Sequence, residues 1–327
     1  MGQASSRDKC IEAEKELLQW GVDWWRARRQ AQHTAGAEDG AWITFEQAGN
    51  APAAATTATT QPRDFHLHHV RYSCATNPAS SHTAPPLVVM HGYLNGTGIF
   101  YTVAPALAES WPGAVYVLDM AGCGLSSRPA WTGGFGENSD LKTTENYFTE
   151  SLEGWRERMG IEKYVLAGHS MGGYLATAYA EKYPERLAHL VLLSPVGIPD
   201  HRGGAGERAD LPFFFRVAFK MWNRGWSPMN IPGTWHLVHM YGNKRYPDAS
   251  WVNKPLLSSY KYYSWVCDNP SAGAYTHSTL LKPGAWARSP LIHRLPGVSA
   301  SLDRISFVYG SRDWMRPGAA EDLKRHQ

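Results

Sequence analysis

Cysteine is scarce in this chain: four in 327 residues, Cys10, Cys74, Cys123 and Cys267, with no C-x-x-C pair among them. That spacing excludes a zinc knuckle and a disulfide framework, and it reads as reduced thiols inside a cell. Long apolar runs are missing too. No stretch reaches the roughly 18 residues that a membrane-crossing helix needs, and the N-terminus lacks the apolar core of a secretory signal. Charge of one sign is equally short, with 32 Lys and Arg against 29 Asp and Glu for a formal net charge of +3. So small and dispersed a balance excludes a nucleic-acid footprint. The expected location is cytoplasmic, with any membrane contact peripheral.

What is present is an ordinary globular composition, 43% hydrophobic and 19% charged, with strong local features. The first residues match M-G-x-x-x-[ST] through Gly2 and Ser6, with Cys10 nearby, so N-myristoylation at Gly2 stands beside an unstructured start as a reading. Residues 10–32 have the pattern of an amphipathic helix, with Leu17, Leu18, Val22 and Trp25 on one stripe and basic residues at its end. Either Trp20, Trp24 and Trp25 sit at a lipid boundary, or the helix packs on its own domain. The uncharged, low-complexity run 50–62 reads as a linker, and the folded body is expected to start after it.

Beyond the linker, β-rich runs start at 67, 87, 114, 163, 189 and 304 and alternate with helical patterns, which predicts an α/β fold with a mostly parallel sheet. The rhythm breaks between 200 and 295, where aromatics, prolines and basic residues take over. The expected organisation is a helix and linker at 1–62, a core in two parts at 63–199 and 296–327, and a helical cap at 200–295 over the carboxyl edge of the sheet. In the cap, Phe213, Phe214, Phe215, Phe219 and Trp222 would line an apolar tunnel or dip into lipid, with Arg216 and Lys220 meeting phosphate. The plainer alternative is an amphipathic cap helix with a solvated basic face.

"YVLAGHSMGGYLA", residues 164–176, holds Gly168, His169, Ser170, Met171 and Gly172 between a strand and a helical run. G-x-S-x-G in that setting is a nucleophile elbow: the turn demands small flanking residues and pushes the serine hydroxyl outward at a helix N-terminus. A hydrolytic serine also needs two amides facing the oxyanion. Met171 supplies one, and Tyr93 in "MHGYLNGTG" supplies the other, ahead of Leu94; His91 is expected to be a buried turn residue. The acid is placed at Asp313, after the run "RISFVYG". Asp119 is its competitor, and its expected task is to pin a glycine turn.

The base has no good candidate. A histidine on the loop after one further strand is needed, yet only 14 residues follow Asp313. His326 falls inside a helical pattern, and His277 and His293 lie in the cap, where they would need an unusual geometry. His66 and His68 share a strand face, where a metal would need another ligand in space, so they read as polar strand residues and no metal is expected.

Together "HGYLNGTGIFY", "VLDMAGCGLSSRP", "GHSMGGYLA", "LLSPVGIPD", "KPGAWARSPLIHRL" and "ISFVYGSRDWM" resemble, from about residue 65 to 319, one α/β-hydrolase subfamily. It contains lysophosphatidic acid acyltransferases, N-acylphosphatidylethanolamine lipases, cardiolipin deacylases and the comparative-gene-identification lipase coactivator. The resemblance implies the α/β-hydrolase fold, no cofactor, and a glycerolipid or phospholipid substrate at a membrane or lipid-droplet surface. Ser170 would be the nucleophile of a lipase, phospholipase or acyltransferase. Some relatives carry asparagine at that position and act only as coactivators. Relatives also carry H-x-x-x-x-D with the triad histidine, and no such motif occurs here. The expectation is therefore a fold whose last strand and helix are missing from this chain, with impaired hydrolysis. The rival function is a non-catalytic lipid-surface regulator that docks a lipase or a droplet coat protein.

Overall fold

A computed structural model describes residues 5–32, 43–48, 65–74, 84–128, 133–134, 136, 139–200, 217, 220–225, 234–246, 251–266, 276–311, 313, 315, 318 and 320–321. Nine strands are present among them: β1 (Ile43–Ala48), β2 (His69–Cys74), β3 (Leu87–Met90), β4 (Val115–Leu118), β5 (Tyr164–His169), β6 (Leu187–Leu193), β7 (Leu281–Lys282), β8 (Trp286–Ala287) and β9 (Ile305–Val308). The helices are α1 (Ser6–Gln32), α2 (Ala104–Ser110), α3 (Leu141–Arg158), α4 (Met171–Lys182), α5 (Thr234–Arg245), α6 (Lys254–Val266), α7 (His277–Leu280) and α8 (Leu295–Ser301).

Seven strands form one sheet in the order β1-β2-β4-β3-β5-β6-β9. β4, β3, β5, β6 and β9 run parallel, and β2 and β1 close one side antiparallel. All six anticipated strand runs are found. β3 and β4 are buried at every position, the signature of strands covered on both faces. Alternate residues feed two cores. Val88, Met90 and Leu166 meet α3, α4 and α8 on one face, while Leu87, Val89 and Val165 meet α1, α2 and α6 on the other.

The folded body starts earlier than the position after the linker that composition suggested. β1 lies ahead of that run and pairs with β2; "ITFEQA" carries too few apolar residues to announce a strand. The linker itself lies outside the described residues, as do Gly2 and the cap aromatics Phe213, Phe214, Phe215 and Phe219.

α1 takes the second of its two readings. Leu17, Leu18, Val22 and Trp25 are buried in the same core as Tyr101, Leu257 and Tyr260, and such burial is worth roughly 1.5–3 kcal/mol per side chain. The approach is close: a Cβ on Gly21 would lie 2.1 Å from the Tyr101 carbonyl oxygen. The apolar stripe of the docked helix is thus committed to the protein. No helix among the described residues is long and apolar enough to cross a membrane.

Between β6 and β9 the chain carries α5, α6, α7, the β7–β8 hairpin and α8. α6 is fastened along its length to the loop after β3 and to a neighbouring arginine. The Tyr101 hydroxyl accepts from the Asn253 amide (3.1 Å), the Tyr260 hydroxyl accepts from the Gly98 amide (3.0 Å), and Arg128 donates to the Ser264 carbonyl (2.6 Å). The return to the core is held by Arg294, which forks onto Glu145 and Glu181.

Candidate active site

β3 and β5 are paired in register, Met90 opposite Gly168, so the loops leaving their carboxyl ends emerge side by side. A Cβ on Gly92 would lie only 2.9 Å from the Ser170 Cβ. The elbow glycines have direct steric reasons. A Cβ on Gly168 would lie 2.4 Å from the Gly172 carbonyl oxygen, and one on Gly172 would lie 2.4 Å from the His91 carbonyl oxygen.

Ser170 itself caps α4 at φ 56°, ψ −117°, a conformation that costs a residue with a Cβ about 1–3 kcal/mol. Hydrogen bonds hold it there: its amide donates to Leu193 O (3.0 Å), and its carbonyl accepts from Gly173 (3.0 Å) and Val196 (3.1 Å). Met171 follows as the first helical residue, whose amide has no acceptor within the helix. The helix end also favours negative charge beside it.

Tyr93 faces the same place. Tyr93, Leu94, Cys123, Arg128, Met171 and Trp265 line one recess, which brings together the two residues expected to hold an oxyanion. Asn95 donates to the Tyr93 carbonyl (3.1 Å), and Leu94 takes a left-handed φ of 59°. Aromatic rings from beyond β6 enclose the Tyr93 ring: Trp222 at 5.9 Å, Trp265 at 6.1 Å and His277 at 4.6 Å between centroids.

His91 behaves as anticipated. It is fully buried, its Nδ1 meets the Gly92 carbonyl at 2.8 Å, and its Nε2 receives the Met120 amide at 3.0 Å. Since a carbonyl only accepts and an amide only donates, the ring is the neutral Nδ1–H tautomer. Desolvation pushes its pKa down to about 4. Asp119 likewise pins turns, accepting from the amides of Thr97 (2.6 Å) and Leu125 (2.8 Å).

Asp313 sits past the carboxyl end of β9, where its carboxylate accepts from the Ser194 hydroxyl and from the Met315 amide (2.9 Å). Desolvation acts against ionisation there, but these bonds and the nearby His169 hold its pKa below the usual range. His169, next to Ser170, is itself depressed by desolvation, partly countered by Asp313, and Phe100 meets it edge-on at 6.4 Å. Among the described residues, Asp313 is hydrogen-bonded to a serine and an amide rather than to an imidazole. His293 is exposed and pairs with Asp200 at 3.2 Å; His326 lies outside the described residues.

Sequence reasoning missed Ser194, the partner of Asp313, although "LLSP" after a strand was the available signal. It also missed Glu14, buried on α1, whose Oε2 lies 2.8 Å from His68 Nε2. Glu14, His68 and Asp119 bring ligand-type atoms within 4.8 Å of one another. Those atoms are engaged in hydrogen bonds. Against the desolvation that would lower it, Glu14 raises the His68 pKa to about 9.

A family model described as the alpha/beta hydrolase fold matches residues 85–268. The chain is 30% identical over 236 residues to the 1-acylglycerol-3-phosphate O-acyltransferase ABHD5 of Sus scrofa, covering 69% of this chain and 63% of that protein. It is also 30% identical over 248 residues to the (lyso)-N-acylphosphatidylethanolamine lipase of Homo sapiens, covering 73% and 68%. Among solved structures, a bacterial membrane phospholipase A superposes with a TM-score of 0.51 at 19% identity, covering 94% of this chain and 80% of that one. The thioesterase domain of a curacin biosynthetic pathway gives 0.52 at 17%, covering 86% and 89%. Both are likenesses of fold.

Proposed function

The chain belongs to the alpha/beta hydrolase fold family, and from that premise we propose that it is a serine-dependent acyl-ester hydrolase or acyltransferase acting on glycerolipids or phospholipids. The observation that carries the reading is the conformation of Ser170, a non-glycine residue held at positive φ at the head of α4, beside the recess shared by Met171 and Tyr93.

In the proposed reaction, Ser170 Oγ bonds to the ester carbonyl carbon and gives up its proton to a base. The carbonyl oxygen, now negative, is met by the Met171 and Tyr93 amides. Collapse breaks the bond to the glycerol oxygen, which takes the proton, and leaves an acyl-serine. Water then releases a fatty acid, or the hydroxyl of a lysophospholipid accepts the acyl group. Asp313 is the acid that would orient an imidazole, Gly168, His169 and Gly172 shape the elbow, and residues 200–295 form the cap. No cofactor enters. The lipid-acting relatives, an acyltransferase and a lipase, support the substrate class.

We assign contact with a membrane or droplet surface to the exposed Met240 (66%) and Trp251 (45%) rather than to the buried stripe of α1. One observation favours a second reading, a non-catalytic regulator that docks a lipase or coat protein: the Asp313 carboxylate is engaged by Ser194. A fluorophosphonate probe separates the two. Labelling that disappears in Ser170→Ala is the expected result, and an unlabelled, folded wild-type protein would replace the enzyme with the regulator.

A further inference from the structure

Glu14 is an expensive residue to bury. α1 already docks through Leu17, Leu18 and Val22, and a carboxylate with no exposed surface is tolerated only where every lone pair finds a donor. Both of its oxygens do. Oε2 meets His68 Nε2 at 2.8 Å, and Oε1 accepts the Thr97 hydroxyl. The carboxylate is thereby fixed from two sides, and bonds to an ionised acceptor are roughly twice as strong as neutral ones.

Thr97 ends the loop that carries Tyr93. At its start this loop is tied by His91 to Gly92 and Met120, which are contacts within the sheet core. At its finish it is tied by the Thr97 amide to Asp119, by the Thr97 hydroxyl to Glu14 and by the Gly98 amide to Tyr260. Between the ties sits Leu94 at φ 59°, a conformation that persists only when its surroundings hold it. The Tyr93 amide can meet an oxyanion only if that span keeps its place.

We propose that Glu14 is a positioning residue for acyl transfer: through Thr97 it fixes the loop bearing the Tyr93 amide, which makes the N-terminal helix a working part of the oxyanion device. This rests on the reading of Ser170 as the nucleophile. A carboxylate 83 positions away along the chain completes a donor pair that the hydrolase core alone leaves held at one end by its own strands and at the other by Asp119 and the cap.

The test uses the full chain with Glu14→Leu, Thr97→Val, the double variant and, as a control on the same helix, Leu17→Ala. Two quantities are read at equal folded fraction: the rate of Ser170 labelling by a fluorophosphonate, and amide hydrogen exchange across residues 93–98. A displacement of the donor of about 1 Å costs up to about 100-fold. Each single variant is therefore expected to slow labelling about tenfold, and exchange at 93–98 should quicken. The double variant should label no more slowly than either single, since both remove the same bond. Leu17→Ala should lower the melting temperature while leaving both readouts in place. Wild-type labelling and exchange in Glu14→Leu would overturn the proposal, as would equal changes in Leu17→Ala. If the wild-type serine fails to label, the nucleophile reading falls, and exchange at 93–98 alone still decides whether Glu14 positions the loop.

Discussion

Ser170 is held in its strained conformation by backbone hydrogen bonds to Leu193, Gly173 and Val196, and the glycines beside it let the neighbouring strand come close. A Cβ added at Gly172 would sit 2.4 Å from the His91 carbonyl oxygen and 2.9 Å from that of Met90, and both are main-chain atoms that cannot swing aside. Gly172→Ala is therefore expected to move the end of β3 away from the elbow and cut Ser170 labelling by about 100-fold or more, read by the same probe assay. Charge tells a second story. His68, lowered by desolvation and by Arg7 but raised more by Glu14 and Asp119, is held protonated to about 9 against 6.5 for the free side chain. Its contribution to stability is complete below 6.5 and is lost as pH rises through about 9. His69 and His91, kept neutral by burial down to about 4, place their losses on the acid side, between 6.5 and 4. The urea midpoint of the wild type should fall between pH 7 and 9.5. In His68→Gln that slope should flatten, and an unchanged slope would mean that the pair is not ionised.

The elements divide into those whose cause is local and those whose cause is remote. β3, β4 and β5 were legible because an unbroken apolar run has one main use in an α/β protein. The elbow was legible because its turn, its glycines and its helix lie within thirteen consecutive residues. β1 was not, since "ITFEQA" becomes a strand by pairing with β2 rather than by its own pattern. Nor was the fate of α1, whose stripe suits lipid and protein alike until Tyr101 and Tyr260 are seen against it. Ser194 and Glu14 escaped notice for the same reason, each being defined by a partner far along the chain. β9 carries a liability of its own. Its Val308 side chain is 51% exposed, an apolar group on the rim of the sheet that can seed association. Val308→Lys is expected to lengthen the lag before light scattering rises on heating, with little change in the unfolding midpoint. A shorter lag would place the sticky edge elsewhere.

In the molecule as a whole, the two cores on either side of the sheet serve different ends. One packs α3, α4 and α8 into a foundation under Ser170. The other packs α1 against α2 and α6, and so couples the helix nearest the N-terminus to a helix that reaches Tyr93 through Trp265. The anchoring of α1 has a consequence for the order of events during synthesis. α1 leaves the ribosome before every segment on which it rests, since Thr97, Asp119 and Tyr260 are all made later. Its apolar stripe must stay shielded until those segments arrive, which makes it the natural handhold for a chaperone. A nascent chain already containing Ser170 would still lack a seated helix until α6 had emerged, so the two halves of the molecule become one only late in synthesis.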